Sequence, residues 1–171
     1  MTSLRHNQAP ITPNPTQDDL SHLTARHPTS TSVDRLAWAV RAARAWLGPE
    51  IGEGPGGARR YQADMRLRVS DHPSIVTFRK AAYVDIGPIK AVHGGWEAEI
   101  AWRASSLAPL FPVFAGTLVA RPGELSVSGL YAPPGGGIGR AADRALLHVA
   151  ATRTGAWLLR ELDAAARKSA S

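Results

Sequence analysis

The chain has 171 residues, enough for one domain with a real hydrophobic core plus a tail. It has no cysteine, which excludes a disulfide framework, a thiolate metal site and a cysteine nucleophile. The formal net charge is +6, but the basic residues are spread along the chain without a basic stripe, so a nucleic-acid-binding role is not indicated.

Met1 to Asp19 is rich in Pro, Thr, Asn and Gln and almost free of apolar residues, so it reads as a disordered tail. It has no apolar core of a signal peptide, and no run in the chain reaches the roughly 18 apolar residues that span a bilayer. Stable membrane insertion is therefore not expected, and the cytoplasm is the expected location. The domain proper is expected over 20–168. Leu20 to His27 alternates loosely and predicts an edge strand ended by Pro28. Thr31 or Ser32 then offers a hydroxyl to the free N–H groups of a helix start, and Asp34 suits the positive end of its dipole. Apolar residues at Val33, Leu36, Ala37, Val40, Ala43 and Leu47 predict a helix over Val33 to Leu47, stopped by Gly48-Pro49. Pro49 to Gly57, with four glycines and two prolines, predicts a loop able to flex at an entrance.

From Arg59 the period changes to two. Tyr61, Ala63, Met65, Leu67 and Val69 alternate with polar residues, as a half-buried strand does. Further strands follow over Ile75 to Ile86, Gly95 to Ala104, Phe111 to Arg121 and Leu125 to Tyr131, the last two joined by Pro122-Gly123. Short connections between successive strands imply an antiparallel meander. A long helix, about Ile138 to Lys168, carries two adjacent apolar stripes, one of them Leu147, Ala151, Gly155, Leu158 and Leu162, and so is covered on two flanks.

This order, strand, helix, meander, long closing helix, is that of a helix-grip fold. Leu110-Phe111-Pro112, the run Gly129-Leu130-Tyr131-Ala132-Pro133-Pro134-Gly135, Gly139-Arg140, Asp143-Arg144 and Leu146-Leu147-His148 resemble the end of SRPBCC domains, the Bet v 1/START-like superfamily that includes polyketide cyclase-like and lipid-transport-like proteins. Leu20 to Leu36 resembles that family's opening. The resemblance covers residues 20 to 168 and implies an α+β fold, a curved antiparallel sheet wrapped on a long C-terminal helix, with a small hydrophobic molecule as partner. Two departures bear on the mouth of any cavity: a second short helix is reduced to the loop Pro49 to Gly57, and five strands rather than six follow the first helix.

Several constellations invite chemistry. Gly135-Gly136-Gly137-Ile138-Gly139 mimics a dinucleotide fingerprint, but no second parallel strand follows, so the glycines make a sharp strand-to-helix turn. The six histidines show no metal-ligand spacing, and no metal or cofactor is implied. Glu97 and Glu99 share an outer face with Arg66, Arg68, Arg79 and Arg103 and read as a ladder of solvated charges. Lys80 falls on the inner face by strict alternation, where an unpaired ammonium is costly, so a strand end or a bulge that turns it outward is expected. Phe78, Trp96, Trp102, Phe114, Tyr131 and Trp157 fall on inner faces, with His148 beside the helix stripe.

Phe78, Lys80, Trp96, Trp102, Phe114, Tyr131, His148 and Trp157 are thus the candidates to line a ligand cavity between sheet and helix. Gly116 and Gly129 leave room there or admit the helix closely. Three functions stay open. The first is an apolar-ligand-binding module. The second is a cyclase, dehydratase or hydrolase using Lys80, Tyr131 or His148 for proton transfer. The third is a filled core serving structure or partner binding. No nucleophile–base pair is visible, and no catalytic residue is assigned, which ranks binding above enzyme. Neither the ligand nor the oligomeric state follows from the sequence. Leu158→Asp is expected to unfold the domain, because an unpaired charge in the helix–sheet interface costs several kcal/mol, comparable with the whole stability; thermal melting followed by circular dichroism checks this.

Overall fold

The computed structural model describes residues 20–68, 77–105, 113–132 and 141–168. The expected tail, the Gly135 to Gly139 run, the connection over 69–76 and Leu110-Phe111-Pro112 lie outside them. The element order is β1 (Ser21–Pro28), α1 (Val33–Arg41), β2 (Glu50–Glu53), β3 (Arg59–Arg68), β4 (Thr77–Ile86), β5 (Lys90–Val92), β6 (Gly95–Ala104), β7 (Val113–Arg121), β8 (Glu124–Ala132) and α2 (Ala141–Lys168). The strands form one antiparallel sheet in the order β1-β8-β7-β6-β4-β3-β2, with β5 also paired to β6. With α1 and the long α2 packed on the sheet, this is an α+β helix-grip fold.

The local chemistry explains the elements. Ser32 caps α1, its hydroxyl accepting from the Arg35 N–H, with Asp34 in the first turn. The α-helix is shorter than its apolar spacing predicts. It ends at Arg41, and Ala43–Ala45 forms a 3-10 turn in which Trp46 Nε1 donates to the Ala39 carbonyl at 2.9 Å. At the β7–β8 hairpin, Gly123 has φ +86°, a left-handed conformation that follows naturally from Pro122 before it. Two short strands, β2 and β5, add to the five expected after α1. The first forms inside the glycine-rich segment by pairing with β3.

Inner-face residues alternate as the pattern requires: Tyr61, Ala63 and Met65 on β3, and Trp96, Ala98, Ile100 and Trp102 on β6 are buried. Leu158, Leu159 and Leu162 of α2 are fully buried against them.

The backbone of α2 comes close to β1 and β8 at one rim of the sheet and to β3 near the other. Three contacts fix it beside β1. His148 meets Tyr131, which is in register with Ser21. Gly155 lies on Leu23, Ala25 and Val127, where an added Cβ would stand 3.2 Å from the Ala25 and Val127 side chains. Asp163, 1 % exposed, takes the hydroxyl hydrogen bonds of Thr29 at 2.6 Å and Thr31 at 2.7 Å, lies 3.0 Å from His27 Nε2, and pairs with Arg167.

Burial alone would raise the Asp163 pKa. The hydrogen bonds from Thr29, Thr31 and His27 and the charge of Arg167 outweigh it and hold the carboxyl below its ordinary value. A carboxylate depressed in the folded state stabilises the protein fully above its unfolded pKa, and that contribution is lost as pH falls through the folded value. Asp163→Asn is therefore expected to cost about 2–4 kcal/mol at neutral pH. It should also flatten the fall in stability below about pH 4, the ordinary carboxylate range; urea melts between pH 2.5 and 7 measure both effects.

Candidate functional site

Opposite residues of an antiparallel pair share a face of the sheet, so the registers can be followed straight across it. One inner-face row reads Tyr131, Phe114, Trp102, Val84, Tyr61 across β8, β7, β6, β4 and β3. All five side chains are buried. Trp102 and Phe114 stack, with centroids 3.9 Å apart and planes at 17°. The next row is made of small residues, Ala104, Ala82 and Ala63. Beyond it Lys80 is in register with Met65 and Phe78 with Leu67.

The sequence candidates are distributed unevenly over this surface. Trp102, Phe114 and Tyr131 are brought together. Trp96 is buried too, but six residues away along β6, roughly 20 Å, and its Nε1 donates to the Val33 carbonyl at 2.8 Å. It is a tie between sheet and α1 and does not join the row. Trp157 is half-buried against the core. His148 is exposed, with its Nδ1 3.2 Å from the Tyr131 hydroxyl. The backbones of Phe78 and Lys80 lie in β4, and the structure describes nothing of their side chains. The bulge expected near Lys80 is absent: the β3–β4 register runs unbroken from Arg59–Ile86 to Arg68–Thr77.

Two further expectations change. Gly116 and Gly129 are in register with each other and leave no open room. A Cβ on Gly129 would stand 2.3 Å from the Ala115 carbonyl oxygen, and one on Gly116 would stand 2.2 Å from the Ser128 carbonyl oxygen and 2.6 Å from the Phe114 ring. These glycines let two strand backbones approach. The glycine-rich segment is in part a strand, β2, rather than a loop throughout. Its Gly54 sits against the Asp85 carboxylate on the outer face, which Arg60 holds in a two-pronged ion pair at 2.7 and 2.8 Å. Glu99 pairs with Lys90 at 3.3 Å, and Arg103 lies over the Tyr83 ring.

Tyr61 was legible as an inner-face residue but not as part of a site. Its hydroxyl and the Trp102 Nε1 are fully buried and have no hydrogen-bond partner among the described residues. Each such group costs about 1–3 kcal/mol. Burial pushes the Tyr61 phenol above its ordinary pKa; Arg59, whose guanidinium lies 5.8 Å from the ring, opposes this, and the neighbouring Glu50 carboxylate adds to the rise. Two surface clefts lie elsewhere. One, of about 400 Å³, separates α1 from the last turns of α2 and is lined by Trp38, Trp46, Ala165 and Lys168 among others. The other, of about 310 Å³, is bordered by Arg41, Arg59 and Ile86. Neither is lined by any of the eight cavity candidates named from the sequence. Among the described residues no group of three or more acidic or histidine side chains is placed to hold a metal ion, and no helix is long and apolar enough to cross a membrane.

Fold and inner face together define an α+β helix-grip domain with an aromatic row under its long helix. No protein-family model matches the chain, and no curated protein does. Among solved structures it is similar to the crystal structure of DynU16, a protein in the dynemicin biosynthetic locus. The identity is 15 %, over 86 % of this chain and 48 % of that one, with a TM-score of 0.43. The chain thus spans about half the length of that structure, and a likeness at this level says nothing about ligand or chemistry. The packing of the glycine pair makes its own prediction. Gly129→Leu is expected to disrupt β7–β8 pairing and lower the melting temperature by more than 10 °C, a loss of several kcal/mol, which differential scanning calorimetry reads directly.

Proposed function

We propose that the protein binds a small, predominantly apolar molecule between the inner face of its sheet and α2. The observation that carries this reading is the row Tyr131, Phe114, Trp102, Val84, Tyr61 and the alanine row beside it. Both lie under a helix whose close approaches include both sides of the sheet, β1 and β8 at one rim and β3 toward the other. Rings offer a large contact area at low cost in side-chain entropy, and three alanines withdraw volume beside them. A mostly apolar wall with a few polar groups is the usual make-up of a small-molecule site. The helix-grip architecture agrees with the SRPBCC resemblance of the sequence, whose members hold such ligands in this place, and a cytoplasmic carrier or sequestering role fits it.

One observation favours a second reading, a cyclase- or dehydratase-like enzyme acting on the same ligand. Tyr131 is buried and hydrogen-bonded to His148, which is exposed. A phenol and an imidazole so placed can pass a proton between a buried ligand and solvent. Tyr131→Phe would then abolish turnover of a bound molecule while leaving its affinity within about threefold, roughly 0.6 kcal/mol.

Titration with N-phenyl-1-naphthylamine, a neutral fluorescent probe, is expected to saturate near one equivalent and to quench tryptophan emission. Ala82→Leu, which fills the alanine row, is expected to keep a cooperative melt and lose the probe. A wild-type protein that shows no saturable binding leaves the filled-core reading in its place.

A further inference from the structure

Two side chains of the inner-face row end in polar atoms without a hydrogen bond. The Trp102 indole N–H and the Tyr61 hydroxyl are both fully buried, and neither has a partner among the described residues. They differ from the other polar groups nearby. Trp96 gives its N–H to the Val33 carbonyl, Trp46 to the Ala39 carbonyl, and Tyr131 meets His148. The fold thus satisfies three of its large polar aromatics and leaves the two that sit on either side of Val84.

An indole N–H is a donor only, and a phenol is a better donor than acceptor. What completes them is therefore an acceptor. The surroundings narrow it further. Val84 and Phe114, in register beside the two groups, and Ala63 and Ala82 of the next row are buried and apolar, while Glu50, in register with Tyr61 on β2, is exposed. An anion brought there would lose its hydration, and among the described residues of the inner-face row none is a cation to receive it. The nearest described guanidinium, that of Arg59, already serves the Val40 and Arg41 carbonyls and Glu50. Trp102 and Tyr61 stand two strand spacings apart, about 10 Å between backbones, on either side of Val84.

We infer that the ligand of the inner face is a neutral molecule carrying two separate acceptor oxygens, such as ketone, ester or quinone carbonyls, one receiving the Trp102 N–H and the other the Tyr61 hydroxyl. This rests on the reading of the inner face as a binding site and adds the ligand's polar chemistry to it. The two residues are specificity-determining: a pure hydrocarbon fits the same walls but leaves both donors empty, and discrimination by a buried donor is far stronger than discrimination by shape.

The test compares 1,4-diacetylbenzene with 1,4-diethylbenzene, close in shape and differing in the two carbonyl oxygens, by isothermal titration calorimetry on the full chain. Wild-type protein is expected to bind the diketone more tightly, although it is the less apolar of the two. Trp102→Phe and Tyr61→Phe are each expected to weaken the diketone about tenfold, the equivalent of one buried hydrogen bond, and to change the hydrocarbon less than twofold. In the absence of any ligand, Tyr61→Phe is expected to melt no lower than wild type, since it removes an unpaired group and keeps the ring. If the hydrocarbon binds and both variants treat the two compounds alike, the acceptor assignment is overturned and the apolar-binding reading stands. If neither compound binds, both are overturned. A ligand-free Tyr61→Phe that melts several degrees lower shows that solvent or Glu50 already satisfies the hydroxyl, and overturns the assignment at Tyr61.

Discussion

A single buried carboxylate holds this architecture closed. Asp163 lies on the sheet side of α2, and its two oxygens gather Thr29, Thr31, His27 and Arg167. Apolar packing alone would let a helix slide or roll over a sheet, because burial is indifferent to small shifts in register. A charge with four specific partners is not. Displacing α2 by one turn would leave a carboxylate desolvated and two hydroxyls unpaired. With Gly155 seated on Leu23, Ala25 and Val127, this sets where along the sheet every other residue of α2 falls, including His148 over Tyr131. The position of the helix over the aromatic row is thus a consequence of polar chemistry some distance from it.

The two faces of the sheet solve different problems. The outer face is held by side-chain ion pairs and by the Gly54 segment lying on Asp85. The inner face relies on burial, and among the described residues its buried polar side-chain atoms without a hydrogen bond are those of Trp102 and Tyr61. Where a protein departs from its own rule at two neighbouring places, function is the natural explanation. Trp102 and Tyr61 lie in the row that also contains the stacked Trp102–Phe114 pair and the Tyr131–His148 contact, so the exceptional features of the inner face share one line across five strands.

Much of this was legible from residue order. Alternation in Tyr61 to Met65 and in Trp96 to Trp102 marked the inner face correctly, because the period of a strand is local. What alternation cannot carry is position along the strand relative to neighbours. Trp96 and Trp102 look equivalent on β6, yet one ties down α1 and the other stacks on Phe114, and only the strand registers separate them. Gly116 and Gly129 likewise looked like space, whereas their pairing makes them a place of backbone contact. Asp163 gave a faint signal, an acid beside the Leu158 and Leu162 stripe, but three of its four partners lie more than 130 residues earlier.

That separation also governs how the chain reaches its fold. β1 pairs with β8, and the Thr29–Thr31 turn waits for Asp163, so the first strand finds no native partner until nearly the whole chain exists. Closing so large a loop costs entropy before any contact is made, and folding dominated by such pairings is slow. During synthesis the β3–β4 and β6–β7 pairs can form early, each from neighbouring sequence, while β1 stays a loose strand with free backbone donors and acceptors. A nascent chain in that state exposes the open edge of β8 as soon as it is made, so the interval between emergence of β8 and arrival of α2 is the period in which another chain can add itself in the place of β1.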